Sequence, residues 1–340
     1  MTDYDLSALP DALPREAAEV LRQMGISDAD FSGLFSVSFG DILHGVFSIF
    51  SGALHEPLSF LSAGICVLFL LSVTDLFGEK NNSLRSFLGT LFLVTACAVP
   101  LRGVITDAVS AVRTLSAFLA TLIPILAAVV AASGSPVLSV VWQTAAFSAA
   151  ETIAAAASGF MAPACGMMLG VGIFDCLGQT DGMDGLAEKI RKTAVWIFSS
   201  LATLFTAFLS LKGLLAGSAD TVAAKGVKLA LGSFIPVVGS ALSEAYASVA
   251  GSLALVRSTA GVFAIAAVCA AALPACAKIL LWLLALRTLV LVSGLLDQKT
   301  AGKLFSSFAA ALSILHACLL FVTVLYVISI GIILTIKADL

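Results

Sequence analysis

Charge is what this chain has least of. Only 11% of its 340 residues are Asp, Glu, Lys or Arg, where a soluble domain carries about 25%. With 60% of the residues hydrophobic and a mean hydropathy of +1.08, a water-soluble enzyme of this length is excluded. So is a disordered chain, which needs few apolar residues and many charges. Histidine is almost as scarce: His44, His55 and His316 stand far apart, and no Ser/His/Asp arrangement can be assembled from their spacing. The seven cysteines include no CxxC and no Cys/His spacing that would hold a metal, so they read as small apolar packing residues. No Walker loop and no GxGxxG preceding a helix is present. The acidic, glycine-bearing loop 175–192 lacks the ligand spacing of an EF-hand. Nothing therefore calls for a metal or another cofactor.

Long apolar runs are what the sequence does have. Stretches without charge cover 57–74, 86–101, 114–150, 152–174, 193–211, 258–277 and 304–336. A helix rising 1.5 Å per residue needs roughly 20 apolar residues to cross a bilayer. Spanning backbone must satisfy its own hydrogen bonds, so the choice is helix or closed barrel. These runs do not alternate apolar and polar as barrel strands do. The fold class expected is an all-α polytopic membrane protein, a bundle of about six to eight transmembrane helices in the lipid bilayer. The run 114–150 is too long for one span and carries Ser133-Gly134-Ser135-Pro136, a turn signal that divides it into two helices.

Charge is unevenly placed. Residues 1–56 hold Arg15 and Arg22 against nine acids, whereas the remainder is mildly basic. Neither part has the basic face that nucleic acid requires. The start, MTDYDLSALPDALP, is acidic and proline-broken, unlike a signal peptide; insertion by the first membrane helix and prior removal of a signal both remain open. Residues 13–24 and 34–54 read as amphipathic helices at the membrane surface or against the bundle. The less apolar 212–257 reads as amphipathic too, interfacial or buried. Lysine and arginine in loops 79–85, 175–192 and 296–303 place all three on the cytoplasmic side.

An internal direct repeat is suggested by three collinear matches. Ile123-Pro124 returns as Ile235-Pro236, an offset of 112; Pro163-Ala164-Cys165 returns as Pro274-Ala275-Cys276; Ala187-Glu188-Lys189 returns as Ala301-Gly302-Lys303. The resulting organisation is an acidic segment 1–56, a first transmembrane pair 57–101, and two membrane repeats, 102–212 and 213–340. Within it Glu151, with Gln143 two turns earlier, is an intramembrane polar candidate, because a carboxylate at membrane depth costs a few kcal/mol. Pro124, Pro163 and Pro274 are candidate kinks. The bland alternatives are a helix-end carboxylate and prolines that only set shape. Gly166 and Gly170 form a GxxxG pattern suited to close helix contact within or between chains, so a homo-oligomer is allowed.

The segment 225–261 resembles the signature region of the stage III sporulation protein AE family. The likeness centres on Ser233-Phe234-Ile235-Pro236-Val237-Val238-Gly239, then Ser243-Glu244 and Ala260-Gly261. Ile123-Pro124-Ile125 and Ala131-Ala132-Ser133-Gly134 follow the same style, and the likeness runs from about residue 30 to the C-terminus. A departure is the missing signal peptide. The resemblance implies a non-enzymatic, polytopic protein of spore-forming bacteria, in the mother-cell membrane around the forespore. It implies partners among other stage III sporulation membrane proteins and, across the intermembrane space, a forespore partner. The complex would be a secretion-like channel supporting forespore development. The family brings no catalytic residues to carry over. Candidate partner contacts are Asp181, Asp184, Lys189, Arg191 and Lys192 in and after one loop, and Ile235, Pro236 and Glu244 in the signature region. The competing expectation is an autonomous secondary transporter of a small solute, working through Glu151 and the kinked helices.

Overall fold

The structure, a computed structural model, describes residues 14–23, 39–77, 83–156, 159, 162–178, 186–234 and 239–335. Its elements are α1 (Arg15–Gln23), α2 (Phe39–Ala53), α3 (His55–Phe77), α4 (Ser83–Ala132), α5 (Pro136–Ala156), α6 (Ala162–Gly178), α7 (Leu186–Phe234), α8 (Gly239–Leu295) and α9 (Lys299–Thr335). No strand occurs among the described residues, as the unbroken apolar runs require. Among the described residues, four helical stretches are long and apolar enough to cross a membrane: His55–Val73, Leu91–Ala132, Ser258–Leu295 and Lys299–Ile332. The stretch Pro163–Phe174 is apolar but shorter.

Several boundaries differ from those suggested by the charge-free runs. The runs 86–101 and 114–132 belong to one helix, α4, which passes through Pro100, Arg102, Asp107, Arg113 and Pro124. Its charges look like a loop in sequence, but Asp107 ends on a side chain of a distant helix. Continuity through Pro100 and Pro124 leaves the carbonyls of Ala96 and Ala120 without their usual intrahelical donors. The boundary at 212/213 falls inside α7, and α8 runs unbroken through Pro274. Of the proline pairs in the suggested repeat, Pro236 lies outside the described residues, and Pro163 and Pro274 do not share surroundings. Pro163 is the second residue of α6, whereas Pro274 lies deep inside α8.

Helix α9 lies at the centre, packed on α8, α7, α6 and α4. Its fully buried side chains include Phe305, Phe308, Leu312, Leu315, Leu319 and Tyr326. Each buried Leu or Phe contributes roughly 1.5–3 kcal/mol relative to exposure in water, a gain that shrinks where the alternative is lipid. Some polar groups in this interior find partners, whereas His316 Nδ1 and Ser329 Oγ are buried with none among the described residues. Ser116 Oγ and Tyr326 Oη are 3.0 Å apart, and Trp142 Nε1 donates to the Ser329 carbonyl at 3.0 Å. Unpaired, such groups would cost a few kcal/mol each. The short α1 buries Ala17, Val20 and Leu21 on one face and leaves Arg15 and Arg22 on the other, so it docks on the bundle, chiefly on α8.

The helix directions follow from specific contacts. Glu56 meets Lys278, Phe60 meets Trp282, and Gly64 backs onto Leu289, so α3 runs parallel to α8. Cys165 donates to the Ala311 carbonyl and Gly172 backs onto Ser307, so α6 runs antiparallel to α9 and hence with α8. The C-terminal ends of α3 and α6 and the α8–α9 turn therefore share one end of the bundle.

The turn between α4 and α5 falls at Ser133–Ser135, where the Gly/Pro signal placed it. Gly134 has φ +88°, a left-handed conformation that glycine adopts without steric cost. The Gly134 N–H donates to the Ala131 carbonyl and the Ser135 N–H to the Val130 carbonyl, the paired bonds of a Schellman cap. The α8–α9 turn repeats this geometry with Asp297 in the left-handed position, φ 56°. There the Asp297 N–H donates to the Gly294 carbonyl and the Gln298 N–H to the Ser293 carbonyl.

Candidate functional site

Two ionisable groups from this apolar chain are held by distant elements. The first is Asp220 on α7, only 1% exposed. Its Oδ1 accepts the Val137 N–H at 3.0 Å and its Oδ2 the Leu138 N–H at 2.8 Å. These are donors at the first turn of α5, which no intrahelical carbonyl can satisfy. Pro136 opens the helix without an N–H. The neighbouring Ser135 would ordinarily cap this end, but its Oγ is buried and has no hydrogen-bond partner among the described residues. Asp220 supplies that cap from another helix, and its negative charge also suits the positive end of the α5 dipole.

The second is Lys278 on α8. Its Nζ donates to Asp107 Oδ2 on α4 at 2.9 Å and lies 3.2 Å from Glu56 Oε2 in the first turn of α3. Three elements thus converge on one ammonium. The carboxylate side chains are 64% (Glu56) and 55% (Asp107) exposed, the lysine 30%. The cation sits inside and the anions face outward. In water such a pair is worth about 0–1 kcal/mol; beside hydrocarbon each ion needs its partner far more. The cluster lines a cavity of about 610 Å³ between α3, α4 and α8. Small residues make the room: Ser59, Ala63 and Gly103 stand where larger ones would close the gap. The far wall is aromatic, with Phe60 and Trp282 rings 5.0 Å apart and tilted 42°.

Among the residues proposed from sequence, Asp181, Asp184, Ile235 and Pro236 lie outside the described residues. So do the side chains of Arg191 and Glu244, although both positions are helical. Lys189 and Lys192 are exposed in the first turns of α7. Gln143 is half-buried on α5, and Glu151 is exposed near its end. Pro124 is exposed within α4, Pro163 is exposed at the start of α6, and Pro274 is half-buried within α8. Gly166 and Gly170 are exposed, and a Cβ at either would meet nothing within 4 Å, so this GxxxG face packs on nothing among the described residues.

Sequence reading passed over Glu56, Asp107, Lys278 and Trp282. A signal was present. Lys278 and Arg287 share one apolar span, and ionisable residues there call for a partner. Among the described residues no group of three His, Cys, Asp or Glu is placed to hold a metal ion. The described cysteines are unpaired, with Cys97, Cys165 and Cys318 buried as packing residues.

Comparison with known proteins agrees with the resemblance in the signature region. The family described as Stage III sporulation protein AE (spore_III_AE) matches residues 26–337. Stage III sporulation protein AE of Bacillus subtilis (strain 168) is 26% identical over 172 residues, a match spanning 50% of this chain and 43% of that relative. No solved structure matches the chain.

Proposed function

Because the chain belongs to the stage III sporulation protein AE family, we propose that it is a non-enzymatic membrane subunit of a secretion-like channel complex that links mother cell and forespore and supports forespore development. The observation that carries this reading is the family match across 26–337, together with four helices of membrane-crossing length. Its place would be the mother-cell membrane around the forespore. Its partners would be other stage III sporulation membrane proteins and a forespore protein across the intermembrane space. The basic first turns of α7, with Lys189, Arg191 and Lys192, form the proposed contact on one side. The signature segment around Ile235, Pro236 and Glu244 forms the contact on the other.

The autonomous-transporter alternative draws no support. Glu151 is exposed near the end of α5. Co-purification from gently solubilised membranes of sporulating cells tests the subunit reading. Other stage III sporulation membrane proteins are expected with the wild-type chain, and a several-fold poorer recovery with Lys189, Arg191 and Lys192 all changed to Glu. Recovery of the chain alone as a monodisperse species would count against it.

A further inference from the structure

On α4 beyond its first turn and on the second half of α8, charge gathers in one belt. Asp107 on α4 meets Lys278 on α8, which also meets Glu56 on α3; Arg102 and Arg113 lie within two turns of Asp107 along α4, and Arg287 within three turns of Lys278 along α8. On either side the helices are free of charge: 86–101 and 114–132 on α4, 258–277 and 288–295 on α8. Helix α4 is apolar over 42 residues, about 63 Å, twice the roughly 30 Å of a hydrocarbon core. Only one side of the belt can lie fully in hydrocarbon, and the belt stands at its border whichever side that is. That border is the depth of lipid headgroups.

From the standpoint of the cavity, we propose that the space framed by Glu56, Asp107, Lys278 and Trp282 binds the headgroup of an aminophospholipid, a phosphoethanolamine group. Four observations meet there. The outward groups are two carboxylates, a match for a primary ammonium. The inner Lys278 offers a cation to the phosphate. Trp282, 2% exposed and part of the cavity wall, has an indole N–H without an acceptor among the described residues, and a buried indole normally finds one. Leading away from the cavity, α3 exposes Leu58, Phe69 and Leu70 while α4 exposes Val99 and Phe92. From Leu58 to Leu70 this track runs about 18 Å along the helix, comparable with one leaflet's acyl layer. The formal charge of −1 on the Glu56–Asp107–Lys278 cluster disfavours an anionic headgroup. The assignment does not depend on the chain's place in a complex.

The test uses the purified full chain, stripped of lipid in mild detergent and titrated with three probes: dihexanoyl-phosphatidylethanolamine, dihexanoyl-phosphatidylglycerol and water-soluble glycerophosphoethanolamine. Binding is read by native mass spectrometry. The ethanolamine lipid is expected to bind saturably and about tenfold more tightly than either other probe. Gly103→Leu is the informative variant, because a Cβ at Gly103 meets nothing within 4 Å. A leucine there is expected to fill the cavity that Gly103 lines, so binding is lost, and an unchanged thermal midpoint in detergent shows that the fold is kept. Glu56→Gln with Asp107→Asn is expected to abolish the preference between the two lipids. Equal binding of the two lipids by the wild-type chain would overturn the proposal. Unaltered binding in Gly103→Leu would do the same. Glycerophosphoethanolamine binding as tightly as the lipid would overturn the lipid as the source.

Discussion

Two helical hairpins whose turns are among the described residues make the same turn in different surroundings. At α4–α5 and at α8–α9 the chain closes a Schellman cap with one residue in the left-handed region. The first turn is buried: Ser133, Ser135 and Leu138 are 6%, 1% and 1% exposed. The second is open, with the side chains of Asp297 and Lys299 89% and 86% exposed. In the open turn a non-glycine residue holds the strained position and water reaches the helix end. In the buried turn glycine holds it, and a carboxylate 83 residues away closes the donors of α5. Burial, not turn geometry, decides how much of the rest of the chain a turn recruits.

Removing the recruited group should break this contrast most severely. Asp220→Ala strands one buried and one part-buried N–H group, the buried one alone costing about 1–3 kcal/mol, so a loss of about 2–4 kcal/mol is expected in unfolding by SDS titration. Asp220→Asn keeps one acceptor and should lose about half as much; a loss below about 1 kcal/mol for the alanine variant would show that Asp220 does not cap α5. Next in size is Gly134→Ala, which places a Cβ in the left-handed region at about 1–2 kcal/mol, read as a lowered thermal midpoint in detergent. The smallest effect sharpens the comparison from the other side. Asp297→Gly relieves the same conformation in the open turn and should stabilise by about 0.5 kcal/mol, since the relief exceeds the added freedom of glycine in the unfolded chain. An equal and opposite pair of shifts for Gly134 and Asp297 would mean that burial adds nothing at these positions.

Much of the fold was legible locally. The break at Ser133–Pro136 is written in glycine and proline, and the α8–α9 turn in a short polar stretch. Helical character follows from apolar runs without alternation. What could not be read is what distant residues do to one another. Asp107 interrupts an apolar run and suggests a loop until Lys278, 171 residues later, is found beside it. Asp220 looks like one more polar residue in an amphipathic stretch until α5 is seen to end on it. The candidate contacts were chosen from loops and a signature motif, and half of those eight positions lie outside the described residues. The ionic cavity was missed because its groups lie on three helices far apart in sequence, and no local period joins them.

Helix α4 has a mechanical consequence. It is a single rod of 50 residues, about 75 Å long, and Asp107 stands at its midpoint. The ion cluster therefore grips α4 where a tilt displaces it least. A tilt of about 5° about that grip would carry each end of the rod about 3 Å in opposite senses. One end lies beside the α8–α9 turn and the other at the Asp220 cap, so one continuous helix joins the two faces of the bundle.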